Sequence, residues 1–231
     1  MIKDNIKKIT DSINEYKHKY KRNDNIRLMA VSKTYGADFV REAYDSGIKL
    51  FGENRVLEAY DKYAELKDIS DIDLHIIGHL QRNKAKKAIE ISTTVESIDK
   101  IDTLVSLQTY ASSFDKKVGY LIEVNTSGEP QKSGIQPEYI DKFLEEILKA
   151  DFSHLILKGL MTVGPLTDNT KDISRSFAVL KKIFDRLVIE LKSVEFATLS
   201  MGMTGDYQIA IAEGSNLVRI GSGIFGSRSY L

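Results

Sequence analysis

Short apolar segments recur along this chain between amphipathic, helix-like stretches, and that alternation leaves few folds open. The apolar segments occupy residues 27–32, 49–52, 74–78, 94–97, 118–124, 157–163, 196–200 and 217–220. Helical periodicity fills the intervals at 37–46, 55–66, 81–91, 100–112, 137–149 and 173–191. Near-continuous apolar strands separated by helices form a parallel sheet buried on both faces. Eight such strands within 231 residues fit a (β/α)8 TIM barrel. An open doubly wound sheet is the alternative architecture. The strand count and the lack of a linker or composition break favour the barrel, as one domain over residues 1–231. Ahead of it, Ile2, Ile6, Ile9, Ile13, Tyr16 and Tyr20 form one apolar stripe of an additional N-terminal helix, with Lys7, Lys8, Lys17, Lys19 and Lys21 on its other faces. A docking helix with a solvated lysine face explains that pattern more simply than a surface helix for membrane or nucleic acid.

Composition narrows the function classes. Lys and Arg total 33 and so do Asp and Glu, which argues against a protein that holds nucleic acid through its overall field. Cysteine is absent, so disulfides, thiolate metal sites, iron–sulfur clusters and cysteine nucleophiles are excluded. No apolar run approaches the roughly 18 residues of a membrane helix. The opening MIKDNIKKIT lacks the apolar centre of a secretory signal. The expectation is a soluble cytoplasmic protein.

In such a barrel chemistry sits at the carboxyl ends of the strands. Those ends carry Lys33, Glu53 and Asn54, His79 and Gln81, Ser97, Asn125, Thr162, residues 200–204 and residues 219–223. Nearly all are polar although the strands feeding them are apolar. Glycines 202, 205, 214, 221, 223 and 226 gather around the last two strand ends, where such barrels most often hold phosphate. Glycine lets backbone N–H groups approach an anion, and serine adds donors. Tight turns alone would explain either loop. Two on adjacent strands, with Arg219 beside them, point to phosphate. Lys33 ends the apolar run Leu28-Met-Ala-Val31, where a free ammonium is expensive to bury. A neighbouring cation such as Arg219 suits a lysine to Schiff-base formation with a carbonyl. A lysine with a phosphate cradle leaves two readings, a pyridoxal phosphate site or an aldolase-like phosphosugar barrel.

Seven motifs then occur in order. They are Leu28-Met-Ala-Val-Ser-Lys-Thr34, Phe51-Gly-Glu-Asn54, His75-Ile-Ile-Gly-His-Leu-Gln-Arg-Asn-Lys84, Glu123-Val-Asn125, Gly159-Leu-Met161, Leu199-Ser-Met-Gly-Met203 with Asp206, and Val218-Arg-Ile-Gly221 with Ile224-Phe-Gly226. This series closely resembles the pyridoxal phosphate homeostasis protein family, also called YggS/PROSC, and through it the fold type III barrel of alanine racemase. The resemblance implies that Lys33 carries pyridoxal 5'-phosphate (PLP) as an aldimine. It also implies that Ser200 and Ser222, with amides around Gly202 and Gly221, hold the phosphate. Arg219 would face the pyridine nitrogen, and Asn54 and His79 would line the pocket beside the ring. Gly36 stands where the family commonly has proline, Leu74 where tryptophan is frequent, and Thr204 where serine is usual; a hydroxyl survives at 204.

A cation at the pyridine nitrogen disfavours its protonation and weakens the ring as an electron sink. Racemisation then requires acid–base partners on both faces of the substrate α-carbon. Lys33 could serve one face. In alanine racemase a tyrosine from beyond the barrel serves the other, whereas here nine residues follow Ser222 and leave no room for a second domain. Tyr230 reads as simple tail. The resemblance therefore implies a monomeric, non-catalytic carrier that maintains intracellular PLP (vitamin B6) and supplies PLP-requiring apo-enzymes, with no nucleic acid, membrane or metal involved. A PLP-dependent amino-acid racemase is the alternative. His75 and His79 have metal-like spacing, but four residues of strand separate them by about 13 Å. The basic run at Arg82, Lys84, Lys86 and Lys87 lacks interleaved aromatics and reads as a solvated helix face. The polar loop at 126–134 could lid the site, but no residue in it marks a role.

Overall fold

The eight apolar segments become eight parallel strands that close on themselves. A computed structural model describes residues 1–226, so Tyr230 lies outside the described residues. The strands are β1 (Arg27–Val31), β2 (Leu50–Glu53), β3 (Asp73–Ile76), β4 (Thr94–Ile98), β5 (Val118–Glu123), β6 (Leu155–Met161), β7 (Thr198–Ser200) and β8 (Leu217–Ile220), paired in chain order. Closure runs from Arg27 opposite Leu217 to Ala30 opposite Ile220. The doubly wound alternative is thereby excluded.

The helices are α1 (Ile2–Lys19), α2 (Ala37–Asp45), α3 (Val56–Ala64), α4 (Ala85–Ile91), α5 (Ile101–Ser113), α6 (Ile140–Lys149), α7 (Thr170–Leu191), α8 (Tyr207–Ala212) and α9 (Ser222–Phe225). Each anticipated helix is present within a few residues, although 3-10 turns at Arg82–Lys84 and Pro137–Tyr139 replace the first turns of two of them. Helix α7 starts earlier than periodicity indicates, because Asn169 caps it by accepting from the Lys171 amide. Two helices were not anticipated. At six and four residues, α8 and α9 are too short to display a helical repeat.

Outward-facing strand residues pack under the helices in two apolar clusters. Ile76, Val95, Ile122, Leu160 and Leu199 meet the helices after β3 to β6, while Ala30, Phe51, Val218 and Ile220 meet α1, α2, α8 and α9. Because α8 and α9 are short, the flank of β8 and β1 would be poorly covered without α1. Its 18 residues bury Ile2, Ile6, Ile9 and Ile13 there; Tyr16 is only half-buried and Tyr20 is exposed, so the buried stripe ends one turn early. The Asn5 amide donates to the Ile224 carbonyl at 2.9 Å, and Tyr207 donates to the Ser12 hydroxyl at 2.9 Å. A Cβ on Gly223 would lie 3.2 Å from Ile9 Cδ1. The docking helix therefore buttresses the loop that carries Ser222. Among the described residues no helix is long and apolar enough to cross a membrane.

Gly159 makes one strand pairing possible. The β5–β6 register slips between Tyr120 and Leu121, and Gly159 takes φ +149° in the irregular stretch. A Cβ there would fall 1.8 Å from the Thr198 carbonyl oxygen, inside the β6–β7 pair. Gly159→Ala is therefore expected to destabilise the barrel by at least about 2 kcal/mol. Urea unfolding followed by circular dichroism measures this, and an unchanged midpoint would contradict it.

Candidate functional site

At the carboxyl end of the barrel, Lys33, Tyr35, Thr204, Arg219, Gly221 and Ser222 line a cavity of about 200 Å³. Lys33 follows β1 and is half-buried. No Asp or Glu is among the lining residues, so the cavity presents cations and hydroxyls. The two glycine-bearing loops meet here. The Arg219 amide donates to the Gly202 carbonyl at 2.9 Å, and the Gly223 amide donates to Thr204 Oγ1 at 3.3 Å. Tyr35 ties the loop after Lys33 to the end of α9, donating to the Gly226 carbonyl at 2.8 Å while its ring stacks on Phe225.

Arg219 is only 3% exposed because β8 turns its side chain inward. Its Nη1 donates to Ser200 Oγ and its Nη2 to the Thr162 carbonyl, both at 2.7 Å. The Ser200 hydroxyl in turn donates to Glu96 Oε2 at 2.6 Å, and Glu96 Oε1 lies 2.6 Å from His75 Nδ1. On the far side His75 Nε2 lies 3.4 Å from Asp73. A continuous polar chain thus crosses the barrel interior from β3 through β4 and β7 to β8.

The titration directions follow from this chain. Burial opposes charge on His75, but its bonds to Asp73 and Glu96 outweigh burial and raise its pKa. Burial likewise opposes charge on Glu96, yet His75, Arg219 and Ser200 hold it below the usual carboxylate range. Burial lowers the Arg219 pKa, against the pull of Glu96, Asp206 and Glu123. Glu123, inward-facing at the end of β5, is pushed up to about 7 by burial and by the charge of Asp99, against Arg219.

The anticipated residues do not all converge. Lys33, Arg219, Gly221 and Ser222 share the cavity. Ser200, expected at the phosphate, is instead fully buried, with its proton committed to Glu96 and its oxygen to Arg219. Gly202 is also set back. It has φ +97°, and a Cβ there would sit 2.5 Å from that of Ala210, so its bareness serves the close approach of α8. Asn54 and His79 line a neighbouring cavity of about 430 Å³ with Arg55 and Lys84. Between their strand ends Gly78 presses against the Asn54 backbone, a Cβ there falling 2.2 Å from the Asn54 carbonyl oxygen. The 126–134 loop does not line the Lys33 cavity. Asn125 Nδ2 donates to the Glu129 and Lys132 carbonyls, and Lys132 Nζ donates to the Gly164 carbonyl.

Glu96 and Tyr35 were not among the residues anticipated, and Glu123 entered only as part of the Glu123-Val-Asn125 motif, with no role. An acid in the middle of the apolar segment 94–97 was a readable signal for Glu96; nothing local marked Tyr35. Asp73, beside His75, gives the chain a measurable handle. Burial would raise its pKa, but the His75 and Thr93 bonds prevail and lower it from 3.8 to about 2. A depressed carboxylate stabilises the fold fully above its ordinary pKa and loses that contribution as pH falls through the folded value. The Asp73 contribution is therefore present above pH 3.8 and lost toward pH 2. Carbon-detected NMR should place the Asp73 midpoint near 2, moving up toward 3.8 in His75→Asn; equal midpoints in the two proteins would refute the coupling.

Residues 5–229 match the family model described as alanine racemase, N-terminal domain. The pyridoxal phosphate homeostasis protein of Aquifex aeolicus is 38% identical over 88% of this chain and 88% of its own. The structure of PipY from Synechococcus elongatus, solved with PLP bound, superimposes with a TM-score of 0.85 at 29% identity, covering 98% of this chain and all of that one. Alanine racemase of Clostridium difficile shares the fold at a TM-score of 0.73 and 16% identity, over 97% of this chain and 60% of the enzyme. A parallel barrel with a lysine after β1 and paired loops after β7 and β8 is thus matched by relatives along nearly its whole length, and the chain belongs to the pyridoxal phosphate homeostasis protein family.

Proposed function

We propose that this chain binds PLP covalently through Lys33 and keeps intracellular PLP in balance without robust turnover of its own. The observation that carries this reading is the donor set of one cavity. A primary amine, a guanidinium and the hydroxyls of Thr204 and Ser222 face a space lined by no carboxylate. Those groups fit a ligand that bears an aldehyde, a dianionic phosphate and a basic ring nitrogen. Bound PLP supplies an aldehyde that bonds to a primary amine and a ring that can withdraw electrons.

The chain's own residues divide that work. Lys33 provides the amine. Thr204 and Ser222 would donate to the phosphate, with Gly221 leaving the approach open. Arg219, a donor with no proton to give up at neutral pH, would face the ring nitrogen and keep it unprotonated. That placement holds the ring in its weakly electron-withdrawing form and favours carriage over catalysis. Delivery to PLP-requiring apo-enzymes would need Lys33 to leave as a free amine while another amine or water takes its place on the cofactor. The working unit is a single cytoplasmic chain.

Amino-acid racemisation is the second reading, and Glu123 is the observation in its favour. Its carboxyl, pushed up to about 7, is able to exchange protons near neutrality beside Arg219. Against it, Glu123 is not among the residues that line the Lys33 cavity.

Purified protein given PLP should gain visible absorbance that borohydride fixes onto Lys33, as located by peptide mass spectrometry. Lys33→Ala should lose both signals, and a colourless, unlabelled wild type would end the proposal. Free amino acids incubated in deuterated water should exchange their α-proton no faster than with matched free PLP. Faster exchange, abolished by Glu123→Gln, would establish the racemase instead.

A further inference from the structure

Glu96 lies outside the lining of the Lys33 cavity and is fully buried, yet the hydrogen bonds through Ser200 lead from it to Arg219. A serine hydroxyl has one proton. Because Ser200 Oγ accepts from Arg219 Nη1, that proton points at Glu96 Oε2. The second Glu96 oxygen is met by His75 Nδ1, whose ring is backed by Asp73. With His75 protonated on both nitrogens, the form that its two flanking carboxylates favour, every bond in the chain asks Glu96 to accept, as a carboxylate does. Its charge acts on Arg219 through protein rather than water, where screening is weak. The guanidinium, held by Ser200 on one nitrogen and by the Thr162 carbonyl on another, has little freedom left.

We propose that Glu96 is a positioning residue for the cofactor pocket: through Ser200 it fixes the Arg219 guanidinium against the place of the cofactor's ring nitrogen, and His75 holds Glu96 as its ionised partner. The inference rests on the reading that Arg219 meets the cofactor, and it assigns part of the control of the ring's electronics to residues beneath the cavity. A purely structural Glu96 would affect folding alone. A positioning Glu96 also affects how the cofactor is held and how it absorbs light.

The test compares the full-length wild type, Glu96→Gln and Ser200→Ala. Each is titrated with PLP by absorbance, labelled with borohydride and melted without cofactor. Both variants should bind PLP about ten-fold more weakly, the size of a lost hydrogen bond to a charged group. Both should also displace the absorption maximum of the bound form while Lys33 remains the labelled residue. Ser200→Ala removes one oxygen and leaves Glu96 charged, so it decides the matter if Glu96→Gln does not fold. Wild-type affinity and an unmoved maximum in the folded variants, with only the melting temperature changed, would overturn the positioning role while leaving PLP binding by Lys33 intact. A wild type that takes up no PLP would overturn both.

Discussion

A guanidinium enclosed in a parallel barrel must be neutralised where it stands, and the residues that neutralise Arg219 organise the interior around it. Removing an ion from water costs several kcal/mol unless charges and hydrogen bonds replace the solvent. Ser200 and the Thr162 carbonyl provide the bonds, and Glu96, Asp206 and Glu123 the opposing charge. Glu96 is itself buried and needs His75, and His75 is held by Asp73, which reaches toward solvent at the other end of the barrel. One cation at the mouth thus dictates inward-facing residues on β3, β4, β7 and β8. The apolar interior shrinks to a plug of Met29, Val31, Leu50 and Leu217.

The same economy governs the outside of the site. Helices α8 and α9 are kept short so that the loops after β7 and β8 can reach the cavity, and the exposed flank is closed by α1. That helix bonds to Ile224 and Tyr207 and lies directly beneath Gly223. Tyr35 and Phe225 join the loop after Lys33 to the loop after β8 from the other side. The residues that would touch a ligand are therefore supported from below and from both flanks.

Much of this was legible in residue order. The strands were readable because outward positions such as Phe51, Val95, Ile122 and Leu199 are apolar and because glycine or polar residues punctuate each carboxyl end. Lys33, Arg219, Gly221 and Ser222 could be gathered in advance since the barrel topology alone brings those ends together. Ser200 and Gly202 lie outside the lining of the Lys33 cavity for a physical reason. A loop motif gives the order of its residues but not which of them turn inward, and here Ser200 turns to Glu96 while Gly202 yields space to Ala210. Asn54 and His79 were expected beside the ring through the family resemblance, yet they line a neighbouring cavity. Helices of four and six residues leave no periodicity to find. The partnership of His75 with Glu96 spans 21 positions and depends on barrel register, which no local pattern encodes.

The likeness to alanine racemase extends to the barrel alone, over 60% of that enzyme's length. What this barrel presents at its carboxyl end is an amine and a fixed guanidinium around one cavity. The most direct test of that pairing is a crystal structure of this chain grown with PLP. The account requires continuous density from Lys33 Nζ to the cofactor, the ring nitrogen against Arg219, and Arg219 still bonded to Ser200 and Thr162. Cofactor density away from Lys33, or an Arg219 swung clear of the ring and of Ser200, would contradict it.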